Sequence, residues 1–292
     1  MNCCRDALEF GYMSSLSSVF VYGTLLPGLE RSSALDGCLS CGPAIIQADL
    51  FDFGPYPGIR TGSGSVVGEV FRVNDAVLAS LDLIEGYQSK APKDSLFVRQ
   101  QVSVRSLADA GESEVFTYFA QQDGGTLIPS GDYRRHRLEA ESKNQWIVSY
   151  GSNMGTKRLI RRVGELSEID PGEVPGYELV FNKAAGKDNT AYANIRHSPD
   201  GESCPAVAYK LSPRQIDELD PYEGVATGHY LRVGVLFQSG NGGQPKFAQT
   251  YIAHPNKIVL GAPIRPDYFQ HVLNGYQEYG FDESLLPKPI VH

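Results

Sequence analysis

The segment SVFVYGTL (residues 18–25) returns in altered form as WIVSYGSN (residues 146–153), and this recurrence decides the fold. A second motif repeats behind it, because LDLIEG (81–86) corresponds to LDPYEG (219–224). Two motifs repeated in the same order indicate a duplicated unit. The tyrosines lie 128 residues apart and the glutamates 138, so the second copy is longer between its motifs. We expect the extra residues in the loop-rich stretch 182–201.

The order of predicted elements also repeats. Apolar runs predict strands at 66–73, 98–104 and 115–120, and again at 206–211, 231–237 and 248–253. Asp132-Tyr133 with His136 recurs as Asp267-Tyr268 with His271. We place the boundary in the polar stretch 134–145. The predicted organisation is an N-terminal extension (1–17) followed by two mixed α/β (α+β) domains (18–140 and 141–292).

Composition limits the class of protein. The 292 residues are 41% hydrophobic and 21% charged, which is typical of globular chains. The net charge of -8 argues against a nucleic-acid partner, since phosphate binding needs a basic face. No apolar run is long enough for a membrane helix, and no signal peptide is expected. Five cysteines, an odd number, favour a reducing, cytoplasmic location; Cys38 and Cys41 form a C-x-x-C for which a metal or redox role is the minor alternative.

The residues around each repeated glutamate predict a helix that ends there. In the second copy Ser212 is a suitable N-cap, Pro213 suits the first helical position and Gln215 can complete a capping box. That helix is expected to stop at or before Asp220, because a proline follows. In the first copy Asn74 or Asp75 caps the helix, and Gly86 ends it.

A carboxylate at a helix C-terminus is disfavoured in its charged form, and apolar neighbours raise its pKa further. Glu85 and Glu223 are therefore candidates for proton transfer near neutral pH. The alternative is that they are ordinary exposed acids. Their recurrence within one six-residue frame favours a function for at least one of them.

Each Tyr-Gly segment follows an apolar strand, and the glycine permits a tight turn. Successive N–H groups at such a turn can hold a small anion such as a carboxylate. In the second copy a helix expected near Thr156 adds its positive end. The alternative is a strand-to-helix turn without a ligand.

The basic edge formed by Arg158, Arg161 and Arg162 is interpreted as a solvated face, with a ligand site as the alternative. The glycine-rich segment 62–68 lacks dinucleotide-binding spacing and is interpreted as a turn.

These motifs resemble the AIG2-like gamma-glutamylcyclotransferases. Residues 21–25, 68–71 and 81–87 carry the resemblance in the first half, together with 54–58 and 128–133. In the second half it is carried by residues 150–154, 193–195, 219–225 and 250–252, which are closer to the gamma-glutamylcyclotransferases proper. The resemblance covers nearly the whole chain, about 18–136 and 146–284.

The resemblance implies two domains, each a small mixed β-barrel with flanking helices. It implies a cyclotransferase of the lyase or acyltransferase type that converts a gamma-glutamyl amide into 5-oxoproline and a free amine. Glu85 and Glu223 are then the acid/base residues. The implied substrate-binding residues are Tyr22, Gly23, Thr24, Leu25 and Tyr118, and in the second half Tyr150, Gly151, Ser152, Asn153 and Tyr251. No metal or organic cofactor is implied; the partner is a small gamma-glutamyl molecule, and the chain is expected to be a monomer or an intramolecular pseudo-dimer.

One departure from the family pattern is Phe97, which stands where the family more often has a tyrosine, whereas Tyr230 keeps that tyrosine in the second half. Two alternatives stay open. One is a related gamma-glutamyl or acyl transfer enzyme of small-metabolite biosynthesis. The other is a glutamyl-binding module without turnover.

Overall fold

The computed structural model describes residues 16–186, 189–199 and 201–288. The predicted extension 1–17 therefore lies outside the described residues except for its last two positions. Within the described part of the chain, no helix has the length and apolar character needed to cross a membrane.

The first half forms a closed five-stranded barrel. Its strands are β1 (Ser17–Val21), β2 (Leu39–Asp52), β3 (Pro57–Val73), β4 (Phe97–Ser106), β5 (Glu112–Ala120) and the short β6 (Thr126–Leu127). The closure runs β1–β3–β2–β4–β5 and back to β1, and β6 pairs with β2 outside this ring. The β1–β5 pair is parallel and the other pairs of the ring are antiparallel. The helices are α1 (Asp75–Ile84) and α2 (Tyr133–Glu141).

The second half repeats this barrel, and two of its strands form a separate hairpin. Its strands are β7 (Gln145–Ser149), β8 (Ile169–Pro175), β9 (Tyr177–Ala184), β10 (Ala191–His197), β11 (Ser203–Leu211), β12 (Tyr230–Ser239) and β13 (Lys246–Ala253). The ring β11–β7–β13–β12–β8 is closed, while β9 and β10 pair with each other. The helices are α3 (Thr156–Val163), α4 (Pro213–Glu223) and α5 (Pro266–Tyr279). All six strands predicted from apolar runs are confirmed as parts of these strands.

Two of the loop predictions are wrong. Much of the stretch 182–201 belongs to the β9–β10 hairpin rather than to a loop. The segment 62–68 lies within β3, where Gly62 and Gly64 allow close contact with β2. A Cβ at Gly62 would lie 2.1 Å from Cγ of Asp49, and the Asp49 carboxylate accepts the Gly64 N–H at 2.8 Å. These glycines therefore admit a side chain between strands and do not mark a turn.

The helix starts agree with prediction, and one helix end does not. Asn74 caps α1, and Ser212 with Gln215 forms the expected capping box of α4. However, α4 continues through Pro221 and ends at Glu223, before Gly224 in the left-handed conformation. A residue that precedes a proline usually avoids the helical conformation. Asp220 stays helical here, and its carboxylate is held by the Tyr251 hydroxyl at 2.6 Å and by Arg232. Both glutamates nevertheless lie at helix C-termini, as predicted.

The two halves share buried surface. Leu107, between β4 and β5, is 1% exposed and belongs to the hydrophobic core of the second half. Ile45 and Val67 of the first barrel pack against the same core. Asp132 at the start of α2 accepts the Gly234 N–H of β12 at 2.8 Å. The halves are therefore joined by apolar and polar contacts as well as by the chain.

Candidate active site

The first half contains a cavity between the end of β1, the end of α1 and strands β4 and β5. The structure brings together there all the residues predicted for this half. The cavity is lined by the turn residues Tyr22, Gly23, Thr24 and Leu25, and by Glu85, Tyr118, Arg31, Tyr56, Ile84, Leu96 and Phe97 among others. The repeated glutamate and the repeated turn thus face one space, although 60 residues separate them in the sequence.

The turn residue Gly23 is required by a close approach. A Cβ at this position would lie 2.6 Å from Cγ of Pro57. Among the described residues, no hydrogen-bond acceptor is found for the N–H groups of Gly23, Thr24 or Leu25. Three successive donors beside a cavity form the kind of concave site that binds an oxyanion or a carboxylate.

Glu85 is held in a largely apolar setting. It is the C-cap residue of α1, and burial raises the pKa of its carboxyl to about 7, with the positive charge of Arg31 acting in the opposite direction. No hydrogen bond or ion pair to this carboxylate is found within the described segments of the chain. The Glu85 carboxylate is therefore available to a ligand, with a pKa suited to taking and returning a proton near neutral pH.

The two tyrosines of the first site order the surrounding backbone. Tyr22 donates its hydroxyl proton to the carbonyl of Tyr118 at 2.6 Å, linking the turn to β5. Tyr118 in turn donates to Asp82 at 2.9 Å. Burial raises the pKa of both phenols, so they stay neutral donors.

The second half has an equivalent cavity. It is lined by Tyr150, Gly151, Ser152, Asn153, Ala193, Glu223, Tyr230, Tyr251 and Tyr268 among others, so every residue predicted for this half is present. A Cβ at Gly151 would lie 3.0 Å from the Ala193 Cβ. The Tyr150 hydroxyl donates to the Tyr251 carbonyl, as the Tyr22 hydroxyl donates to the Tyr118 carbonyl in the first half. The N–H groups at positions 151–153 likewise have no acceptor among the described residues.

Glu223 differs from Glu85 in having protein partners. The Asn153 amide donates to its carboxylate at 2.7 Å, and Arg162 lies 3.2 Å away. Burial raises the pKa of Glu223, while Arg162 and Asn153 act in the opposite direction. The interpretation of the basic edge of α3 as a solvated face is therefore wrong for Arg162, whose side chain is 17% exposed, and holds for the exposed Arg161.

Sequence reasoning missed an aspartate–arginine pair that supports each site. Asp82 receives two hydrogen bonds from Arg99 and one from Tyr118. In the second half Asp220 lies 3.2 Å from Arg232 and receives a hydrogen bond from Tyr251. Each aspartate lies three residues before the glutamate and ties its helix to two strands. The repeated Leu-Asp of the motif was the signal that could have revealed this role.

We expect Asp82→Asn to lower the free energy of unfolding by about 1–2 kcal/mol, because it weakens charge-assisted bonds that are only partly exposed. Denaturant titration measures the loss. Asp123→Asn is the control, since Asp123 is exposed. Equal stability of the two variants would contradict the supporting role of Asp82.

Comparisons with known proteins match both halves of the chain to one family. The family model described as gamma-glutamyl cyclotransferase, AIG2-like, matches residues 19–135 and again residues 147–269. YtfP of Escherichia coli (strain K12), named a gamma-glutamylcyclotransferase family protein, is 31% identical over 116 residues, covering 39% of this chain and 94% of its own. YkqA of Bacillus subtilis (strain 168) is 25% identical over 260 residues, covering 85% of this chain and 87% of its own.

The crystal structure of YkqA extends the likeness to the whole fold. It superposes with a TM-score of 0.73 at 21% identity, covering 92% of this chain and 94% of the other. The duplication read from the sequence is thus confirmed by two family matches and by one fold that spans both. The chain belongs to the AIG2-like gamma-glutamyl cyclotransferase family, with one family unit in each half.

Proposed function

We propose that this protein is a gamma-glutamyl cyclotransferase that releases 5-oxoproline and a free amine from gamma-glutamyl amides. The observation that carries the proposal is the partly buried Glu85 carboxylate. It has no protein partner among the described residues, and it shares one cavity with three successive N–H groups for which those residues offer no acceptor. The family names of the relatives support the same class of reaction.

The chemistry follows from these groups. The α-amino nitrogen of the glutamyl moiety attacks the γ-carbonyl carbon of its own chain, and the five-membered ring closes without a second reactant. Glu85 takes the proton that this nitrogen loses. The N–H groups of the turn stabilise the negative oxygen that forms on the carbonyl carbon. When the bond to the amine breaks, Glu85 returns the proton to the departing nitrogen, so one carboxylate serves both steps.

The second site carries the same groups, and Glu223 is the corresponding acid/base residue in this proposal. Its ion pair with Arg162 must rearrange or be shared when substrate binds, because the carboxylate has to reach the α-amine. We therefore expect the two sites to differ in substrate preference.

The direct test is to incubate the purified chain with gamma-glutamyl dipeptides and gamma-glutamylamines and to measure 5-oxoproline. Release of 5-oxoproline with an equal amount of amine supports the proposal. If folded protein releases none from a broad panel, the proposal fails. Calorimetric binding of 5-oxoproline or glutamate without any turnover would instead support a binding module.

The raised pKa of Glu85 also predicts a dependence of stability on pH. A partly buried acid whose pKa rises from 4.5 to about 7 destabilises the folded state as pH rises through this range, because the carboxyl ionises less readily in the folded state than in the unfolded state. The cost is absent below pH 4.5 and complete above pH 7, where it approaches about 3 kcal/mol. Glu85→Gln should therefore stabilise the protein at pH 8 and change little at pH 4.

Denaturant unfolding at both pH values measures this effect. Glu114→Gln is the control, because Glu114 is exposed on β5. A gain that is the same at pH 4 and pH 8 would show that the Glu85 carboxyl is not held in the protonated form by burial.

A further inference from the structure

The linking segment (26–31) follows the donor turn of the first site (23–25) and lies against the second barrel. A Cβ at Gly28 would lie 2.7 Å from Cζ of Phe247 and 3.2 Å from Cδ2 of Leu236, so the backbone is in direct contact with both side chains. Gly28 also has a φ of 84°, a conformation that other residues rarely adopt. The first half therefore reaches the second barrel through a backbone contact that leaves no room for a side chain.

Phe247 and Leu236 are neighbours on the outer face of the second barrel. They stand opposite each other in the antiparallel pair of β12 and β13. Val235 and Phe237, on either side of Leu236, are buried in the barrel core, and side chains alternate along a strand, so Leu236 points outward. In the described part of the chain, neither Leu236 nor Phe247 belongs to a hydrophobic core cluster, and both are partly exposed. Shortening Phe247 therefore removes a contact with the first half without opening a core.

Two hydrogen bonds connect the linking segment to the donor turn itself. The Gly23 carbonyl accepts the Leu26 N–H at 2.9 Å, and the Thr24 carbonyl accepts the N–H of Arg31 at the same distance. In a planar trans peptide unit the carbonyl and the following N–H point in opposite directions. Fixing these two carbonyls therefore fixes the directions of the Thr24 and Leu25 N–H groups. The second bond also holds the backbone of Arg31, which lines the first cavity.

Helix α2 contacts the linking segment from another direction. The buried Arg134 guanidinium donates to the Pro27 carbonyl at 3.1 Å. A Cβ at Gly234 of β12 would lie 2.5 Å from Cβ of Arg134, so this part of the helix lies directly on the second barrel. The linking segment is thus held by α2 and by the outer face of the second barrel together.

The donor turn of the second site (151–153) is held within its own half. Met154 follows this turn, and a Cβ at Gly275 of α5 would lie 2.8 Å from Cβ of Met154. The Thr156 N–H donates to the Glu278 carboxylate of α5 at 3.2 Å. Helix α2 occupies the position of α5 in the first half but has 9 residues where α5 has 14. The first turn thus depends on the second barrel, where the second turn lies against its own helix.

We propose that Phe247 is a positioning residue for the first site, although it belongs to the other half of the chain. Its ring holds the linking segment, and that segment orients the N–H donors beside Glu85. This inference rests on the proposed function and adds to it a dependence of the first site on the second barrel. The second site has no such dependence on Phe247, because its donor turn is supported by α5.

The kinetic test replaces Phe247 by Ala in the Glu223→Gln protein, where only the first site operates, with the gamma-glutamyl compound that this protein converts fastest. Misdirected donors stabilise the oxyanion of the transition state less well. We therefore expect kcat for 5-oxoproline release to fall about tenfold or more, while KM changes by less than about threefold. Phe247→Leu keeps an apolar side chain against the linking segment and should restore kcat to within about threefold of the parent.

The second site is the internal control. In the Glu85→Gln protein, where only the second site operates, Phe247→Ala should leave kcat within about twofold of the parent. A general loss of folding would lower both activities together. A first-site kcat that Phe247→Ala leaves unchanged, or equal losses at both sites, overturns the inference.

Amide hydrogen exchange separates this inference from the proposed function, because it needs no turnover. The N–H groups of Leu26, Leu29 and Arg31 are hydrogen-bonded, so their exchange reports the order of the linking segment. Phe247→Ala should speed their exchange about tenfold or more and leave the bonded N–H groups of residues 154–159 unchanged. If the wild-type chain releases no 5-oxoproline, the proposed function fails, and exchange still shows whether Phe247 holds the segment. Unchanged exchange in the linking segment of folded protein overturns the inference.

Discussion

Replacing Glu85 by Gln is expected to lower 5-oxoproline release at the first site by about 10²–10⁴-fold, the usual contribution of a positioned acid/base group. The amide keeps the size and much of the hydrogen bonding of the carboxyl but cannot take a proton from the α-amine. The change is best made in the Glu223→Gln background, where only the first site operates. The measurement is kcat/KM on an uncharged gamma-glutamylamide.

Glu114→Gln in the same background is the matched control, since it removes an exposed carboxylate from β5 and should leave turnover unaltered. A cooperative denaturant unfolding transition at pH 8 checks that the Glu85→Gln protein is folded. Turnover that stays within about threefold of the parent would show that another group moves the proton.

The second large effect concerns the junction between the halves. Asp132 is 3% exposed, and its carboxylate accepts the Arg135 N–H at the start of α2 and the Gly234 N–H of the second barrel. Asp132→Ala removes a helix cap worth about 1 kcal/mol and leaves a buried N–H unpaired at about 1–3 kcal/mol. Burial raises the pKa of Asp132, so relief of its desolvation offsets part of the loss. We expect a net loss of about 2–3 kcal/mol in denaturant unfolding.

The duplication provides the control. Asp267 occupies the repeated position in the second half, but its side chain is 72% exposed and Arg265, not Asp267, is the N-cap of α5. Asp267→Ala should change the free energy of unfolding by no more than about 0.5 kcal/mol. Equal losses for the two variants would show that the contact with Gly234 contributes nothing.

The repeat made most of the site predictable. The Tyr-Gly turn and the glutamate motif recur together in both halves, which predicts that the two segments form one site in each half. The capping residues Asn74 and Ser212 were equally predictable, because a helix cap depends on residues that are close in the sequence.

What the sequence could not reveal depends on contacts between distant residues. α4 continues past Pro221, where Arg232 and Tyr251 of two barrel strands hold the Asp220 carboxylate, so the local proline rule placed the helix end too early. Gly62 and Gly64 leave room for Asp49 of the neighbouring strand.

The burial of Leu107 in the core of the second half has a consequence for biosynthesis. During translation the first barrel leaves the ribosome before its neighbour exists, and Leu107, Ile45 and Val67 then lack their cover. The nascent chain therefore exposes an apolar surface patch until the strands of the second barrel have been synthesised. A gene truncated at the midpoint would leave that patch permanently uncovered, so the isolated first half should aggregate where the complete chain stays dispersed.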